Sequence, residues 1–191
     1  MAAKTFLLRP LTLRITAGES IADSDFYPQF LTKEPAKPDI AVAVIRGKLP
    51  QPDGTEIFCN HRRRRVSVQG LNYDYTCFSD SATLTHIPYA CAVREGEKIS
   101  LTVDYNGPLW DTMLFEALNL PDLLLQKGAG LLHASLISTG AGGLLFAGPK
   151  QQGKSTQAAL WRQYRDAEIY VMIEVLKRVN TRATVYGVGT V

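Results

Sequence analysis

The chain has 191 residues, of which 46% are hydrophobic and 20% charged, and its formal net charge is +3. This composition is ordinary for a globular protein with a buried core, and so small a net charge does not indicate a polyanion partner. Three cysteines at wide spacing argue against a disulfide framework and a zinc knuckle. No apolar run approaches the ~18 residues that would span a bilayer, so we predict a cytoplasmic protein with no membrane partner.

The first hundred residues have the pattern of β-structure. Short apolar, β-branched and aromatic runs alternate with turn residues, and helical periodicity is nearly absent. The turn signals include Pro52-Asp53-Gly54 and the link Gly70-Leu71, which is short enough for a tight hairpin. The candidate strands span residues 6–15, 40–46, 63–69, 72–78, 83–93 and 99–103. We predict a mainly antiparallel β domain over residues 1–105.

The pattern changes near residue 106, where a second domain is predicted to begin. Pro108 suits a first helical turn, and the apolar residues after it share one helical face. The elements predicted next are a helix at 108–118, a short helix at 121–126, strands at 131–138 and 143–147 joined by a glycine-rich turn, a helix from Lys154 to about Tyr164, an apolar run at 169–173 and an extended stretch at 184–186. We predict that this second domain covers residues 106–191.

A glycine-bounded loop between the second of these strands and the following helix has the pattern of a P-loop. Glycine at position 148 allows a sharp exit from the strand, and Gly153 lets backbone amides turn towards phosphate oxygens. Lys154 supplies charge for the β- and γ-phosphates, and the hydroxyl of Ser155 suits Mg²⁺. The predicted site consists of Gly148, Pro149, Lys150, Gln151, Gln152, Gly153, Lys154, Ser155 and Thr156. We therefore predict binding of a nucleotide, ATP, with Mg²⁺, and the alternative is a purely structural turn.

A catalyst built on this loop also needs an acid at the end of a neighbouring strand, to hold the metal or accept a proton. Glu174 is the downstream candidate, although an exposed glutamate at a strand end fits the sequence equally well. His133 lies in a strand predicted to pair with the P-loop strand, which makes it a candidate for the site. The alternative interpretation is a core histidine whose hydrogen bonds are satisfied. Asp166 and Glu168 are predicted to be solvated loop charges.

The basic run His61-Arg62-Arg63-Arg64-Arg65 raises the question of nucleic acid. In a strand these side chains alternate between two faces, so at most half of them form one stripe. The predicted hairpin mate, residues 72–75, offers an acid and aromatic faces for stacking. We therefore predict a solvated strand and no nucleic-acid partner.

In these motifs the chain resembles the HPr kinase/phosphorylase-like family, whose kinase core is related to phosphoenolpyruvate carboxykinase. Within that family it looks most like bacterial proteins that carry the kinase domain behind a β-rich N-terminal segment. The resemblance covers about residues 110–168 and is carried by Leu132-His133-Ala134-Ser135, residues 144–149, residues 153–158 and Leu160-Trp161. It implies an α+β protein, in which a mainly antiparallel β region precedes a truncated HPr-kinase-like P-loop α/β core.

The same resemblance implies a chemistry. Full-length members use a nucleotide and Mg²⁺ to phosphorylate a protein serine, so a protein or peptide carrying that serine is an implied partner. The residues implied to bind the nucleotide are Gly148, Gly153, Lys154, Ser155 and Thr156, and His133 matches a histidine near the active site. The family generally has glycine where Gln151 stands here, and aspartate near Glu174. Because family members continue beyond the position of Val191, the second domain is expected to be incomplete at its C-terminus.

Three functions follow as hypotheses. The first is an ATP-binding protein related to HPr serine kinase/phosphorylase, with Lys154 stabilising transferred charge, Ser155 holding Mg²⁺, His133 nearby and Glu174 as the acid. The second is a non-catalytic nucleotide-binding regulatory module or a fragment, which the replaced aspartate and the early end favour. A motor ATPase is disfavoured because the chain has no Leu-Ser-Gly-Gly-Gln signature.

Overall fold

The computed structural model describes residues 1–8, 10–24, 27–33, 37–79, 86–140, 142–149, 151–170, 173–179 and 182–186. The chain divides into two compact units. Met1–Leu7 with Leu11–Leu120 forms the first, here called the β unit, and Leu8–Pro10 with Pro121–Val191 forms the second, here called the P-loop unit. Within the described residues the chain has fifteen strands and three α-helices, so β-structure predominates.

The β unit is built on one large sheet. Its strands are β1 (Ala2–Leu8), β2 (Leu11–Ala17), β3 (Ile21–Ala22), β4 (Ile40–Arg46), β5 (Thr55–Cys59), β6 (Arg63–Val68), β7 (Leu71–Ser79), β8 (His86–Glu95), β9 (Lys98–Val103) and β10 (Leu109–Trp110). Eight of them form a sheet in the order β1-β2-β4-β9-β8-β7-β6-β5, while β3 and β10 pair separately and parallel. Helix α1 (Asp111–Ala117) buries Phe115, whose ring packs edge-on against Phe6 at 4.9 Å.

The large sheet is mixed, which corrects the prediction of a mainly antiparallel domain. Strands β5 to β9 form an antiparallel meander. Strand β4, however, pairs parallel with both β2 and β9. Parallel neighbours need long connections, and an alternating pattern within one strand carries no information about the direction of its neighbours.

Several local predictions in this unit are confirmed. Strand β4 has the predicted bounds, Ile40–Arg46. The predicted hairpin between β6 and β7 is present, but its two-residue turn is Gln69-Gly70, one residue before the predicted link Gly70-Leu71. Both turn residues have positive φ (49° and 84°), as a type I′ turn requires. Strand β5 was not predicted, because all five of its residues are exposed and its sequence does not alternate.

The P-loop unit contains the remaining elements. They are α2 (Leu120–Leu125), β11 (Ala129–Thr139), β12 (Gly142–Ala147), α3 (Lys154–Arg165), β13 (Glu168–Tyr170), β14 (Ile173–Val179) and β15 (Arg182–Tyr186). Strand β11 is the centre of the sheet, with β12 on one side and β13 and β14 on the other, and β15 extends the sheet beyond β14. Ile137 of β11 and Ala158 of α3 meet in a small buried cluster with Ala167.

The predicted P-loop α/β core is wrong. All recorded pairings in this sheet are antiparallel, whereas an α/β core is a mainly parallel sheet with helices on both faces. The physical reason is the tight turn between β11 and β12. Thr139 pairs with Gly142, and so short a connection forces antiparallel pairing.

No helix in the described residues is both long and apolar enough to cross a membrane.

Candidate functional site

The loop from Gly148 to Gly153 leaves strand β12 and leads directly into helix α3, as the sequence predicts. Gly153 precedes the helix with φ 73° and ψ 16°, in the left-handed region that glycine adopts without a steric penalty. Gln151 is also left-handed, with φ 69°, at the position where the resembled family has glycine. A Cβ at position 148 would lie 3.0 Å from Oε1 of Gln152. Lys150 lies outside the described residues.

Lys154 is the cation of this loop, and it is buried. Only 9% of the residue is exposed. Its ammonium donates hydrogen bonds to the carbonyl oxygens of Gly148, at 2.9 Å, and of Pro149, at 2.8 Å. Within the described part of the chain it makes no salt bridge with a carboxylate. In the described residues, the hydrogen-bond acceptors of this positive charge are therefore two neutral carbonyl oxygens.

Helix α3 adds its N-terminus to the same place. The first intrahelical hydrogen bond runs from the amide of Gln157 to the carbonyl of Gly153, at 2.8 Å, so the amides before Gln157 face the loop. Its first turn holds no acidic residue, and Arg162 and Arg165 lie in its last turn. The absence of an acid from the first turn leaves the positive end of the helix dipole available to an anion at the loop, whereas the two arginines complement the negative end.

Ser135, which the sequence analysis did not single out, lies beside this site. It pairs with Phe146, one residue before the end of β12. The residue is 1% exposed, and its Oγ has no hydrogen-bond partner in the described part of the chain. The available signal was a hydroxyl flanked by Ala134 and Leu136 in the strand that precedes the candidate loop. A buried hydroxyl without a partner is costly, by about 1–3 kcal/mol.

The two predicted catalytic residues lie on adjacent strands. Strand β11 pairs with β12, as predicted, and His133 directly precedes Ala134, the partner of Ala147 at the start of the loop. Strand β14 pairs with the other side of β11, with Ile173 opposite His133 and Glu174 opposite Leu132. Glu174 is therefore two strand spacings from β12, about 10 Å. The structure brings the backbone of His133 to the loop and places that of Glu174 one strand further away.

The remaining candidates are distributed as follows. Gly148, Gly153 and Lys154 meet around the loop, and Ser155 and Thr156 follow Lys154 in the first turn of α3. Asp166 caps the other end of that helix, with φ 50°. In the described residues no cluster of three or more His, Cys, Asp or Glu side chains could hold a metal ion.

Comparison with known proteins adds no further assignment. The chain matches no protein-family model, no curated protein and no solved structure. The resemblance to HPr kinase/phosphorylase remains a hypothesis carried by the residues named above.

Proposed function

We propose that residues 148–156 bind the phosphates of a nucleotide, ATP, together with Mg²⁺. The observation that carries the proposal is the buried ammonium of Lys154, which has two carbonyl partners and no carboxylate in the described part of the chain. Burying a charge is costly unless an opposite charge accompanies it. A phosphate group supplies that charge at the N-terminus of α3, where helix amides also favour an anion.

When a nucleotide binds in this mode, phosphate oxygens replace carbonyl oxygens as the hydrogen-bond acceptors of Lys154. The ammonium leaves the carbonyls of Gly148 and Pro149 and donates to the β- and γ-phosphates, while the loop amides turn towards the same oxygens. The hydroxyl of Ser155 and the phosphates suit Mg²⁺, which binds oxygen ligands and keeps several waters. When bound, the ion neutralises phosphate charge. The unpartnered hydroxyl of Ser135 offers one further donor beside β12.

The backbone arrangement favours nucleotide binding without phosphoryl transfer. An acid that accepts a proton must come within hydrogen-bond reach of the nucleophile. Glu174 lies on β14, with β11 between it and the P-loop strand. Transfer of phosphate to a protein serine, which the family resemblance implies, is the second candidate, and the position of His133 next to the start of the loop favours it.

A ligand series tests the proposal by isothermal titration calorimetry on the whole chain. ATP with Mg²⁺ and inorganic pyrophosphate should both bind, because the recognised group is the phosphate, whereas adenosine should not. Absence of heat with both phosphate compounds at millimolar concentration would overturn the proposal, as would equal affinity for adenosine. Incorporation of phosphate from ATP into a serine-containing protein would support the second candidate function, phosphoryl transfer.

A further inference from the structure

The β unit contains a cavity that the nucleotide site does not use. Its volume is about 400 Å³, which lies within the range of small-molecule sites, about 300–1,000 Å³. Strands β6 and β7 contribute Val66 and Tyr75, and the segment after β4 contributes Pro50 and Pro52. Pro88 of β8 adds to this apolar surface, which Gln51, Asn60 and Arg64 interrupt with polar groups. A cavity with this lining accommodates an apolar or aromatic body.

The walls of this cavity are held in place before any ligand arrives. The hydroxyl of Tyr75 donates to the carbonyl oxygen of Pro50 at 2.5 Å and so fastens the segment after β4 to β7. Burial raises the pKa of Tyr75 to about 12, so this donor stays protonated at neutral pH. A Cβ at Gly54 would lie 2.5 Å from the carbonyl oxygen of Ser67, so glycine is needed for this segment to approach β6. A preformed cavity binds without a large ordering cost.

One charged residue, Arg64, lines the cavity. Its Nε donates to Oε2 of Glu56 at 2.6 Å, and its guanidinium carbon lies 5.8 Å from the centre of the Tyr75 ring. In the described part of the chain its two terminal nitrogens donate to no other residue. Two parallel N–H groups of a guanidinium match the two oxygens of a carboxylate.

We propose that this cavity binds a small organic monocarboxylate with an apolar or aromatic body. The carboxylate is held by the terminal nitrogens of Arg64, and the body packs on Tyr75 and the three prolines. Glu56 contributes to selectivity between singly and multiply charged anions. It already neutralises much of the charge of Arg64, and it repels an anion with several charges. The site therefore favours a monoanion over a nucleotide. The inference concerns the β unit alone and does not depend on the P-loop.

Cys59 provides a reporter inside the cavity. It is exposed and lies in the lining, whereas Cys77, which also lines the cavity, and Cys91 are buried. Burial raises the pKa of the Cys77 thiol, and it raises that of Cys91 to about 12. Since thiolates are the species that react, iodoacetamide should modify Cys59 first. A ligand in the cavity should slow this reaction.

The experiment follows the alkylation of Cys59 by intact mass, with 4-phenylbutyrate as the probe and its neutral amide as the comparison. At about ten times Kd, the carboxylate should slow the reaction about tenfold, because only the unliganded fraction reacts. The amide should protect far less. Calorimetric titration of the same two compounds measures Kd directly.

Two substitutions separate recognition from folding. Arg64→Met should weaken 4-phenylbutyrate at least about tenfold, since hydrogen bonds to a charged group are lost. Arg94→Met, a matched change on β8 outside the cavity, should leave the affinity unaltered. If Arg64→Met fails to fold, Arg64→Lys is the alternative variant. It keeps the charge without the planar guanidinium and should also weaken the binding of 4-phenylbutyrate. Equal protection by acid and amide, protection by ATP at the same concentration, or no binding of either probe would each overturn the proposal.

Discussion

The arginine run at 62–65 in the β unit and Lys154 in the P-loop unit are both cationic, but their hydrogen-bond partners differ. Three of the arginines are in salt bridges, with side chains that are 37–58% exposed: Arg62 with Glu116, Arg64 with Glu56 and Arg65 with Asp74. The fourth, Arg63, donates to the carbonyl oxygen of Glu116 and to Oγ1 of Thr76. Lys154 is buried against two carbonyls.

This difference shows which positive charges indicate a ligand. The run at 62–65 is the more conspicuous in sequence, yet acids in its own unit balance most of it, and exposed pairs of this kind contribute little to stability. A single buried lysine lacks that balance in the described residues. Arg64 is intermediate, because Glu56 engages only its Nε, and this is the residue on which the cavity proposal depends.

The largest expected effect is on ATP affinity. Lys154→Ala removes the buried ammonium and should weaken ATP about 100-fold, since charge-assisted hydrogen bonds contribute about 1.5–3 kcal/mol each. Arg62→Ala makes the same change of charge in the balanced run and should leave the affinity unaltered. Calorimetry on both variants, with melting curves to verify folding, measures the difference. If the two variants bind ATP equally well, the comparison between the two regions does not hold.

A smaller effect is expected for oligonucleotides. The wild-type chain should not bind single- or double-stranded oligonucleotides at moderate salt, whereas Glu56→Gln with Glu116→Gln removes the carboxylate partners of Arg62 and Arg64. At low salt each additional phosphate contact should then raise the affinity about tenfold, with a salt slope of about 0.9 per phosphate on double-stranded DNA.

The matched control for this titration is the double variant Glu95→Gln and Glu97→Gln. It changes the net charge equally, at the end of β8 and in the turn that follows it, and fluorescence anisotropy compares the two. Micromolar binding by the wild type at moderate salt that is lost when Arg62 and Arg64 become serine would show that the run is a nucleic-acid surface.

Elements whose determining contacts are local could be predicted from the sequence. The β6–β7 hairpin, whose turn lies one residue before the predicted link, the strand Ile40–Arg46 and the helix from Lys154 each depend on neighbours within a few residues. The hairpin mate of the arginine run was also correctly identified, since Arg65 pairs with Asp74 across it. These elements carry their own turn, alternation or capping signals.

Features that depend on distant partners were missed. Glu116 balances Arg62 from a position 54 residues away, and no pattern in the strand points to it. The parallel pairing of β4 with β2 and β9 likewise joins remote segments. At the candidate site the motif was readable, but the carbonyl partners of Lys154 and the burial of Ser135 depend on how the loop and β11 pack.

The smallest effect concerns the backbone of the P-loop itself. Gln151 has φ 69°, and a left-handed conformation costs a residue with a Cβ about 1–2 kcal/mol. Gln151→Gly removes that cost but adds freedom to the unfolded chain, a loss of about 0.5–1 kcal/mol, so a net stabilisation of roughly 0.5 kcal/mol is expected. Gln152 has no positive φ; Gln152→Gly should therefore destabilise the chain. Urea unfolding monitored at Trp161, in helix α3, compares the two variants. If both variants are less stable than the wild type, contacts of the Gln151 side chain stabilise the chain by more than its left-handed backbone costs. The loop would then differ from glycine-rich P-loops by more than one side chain.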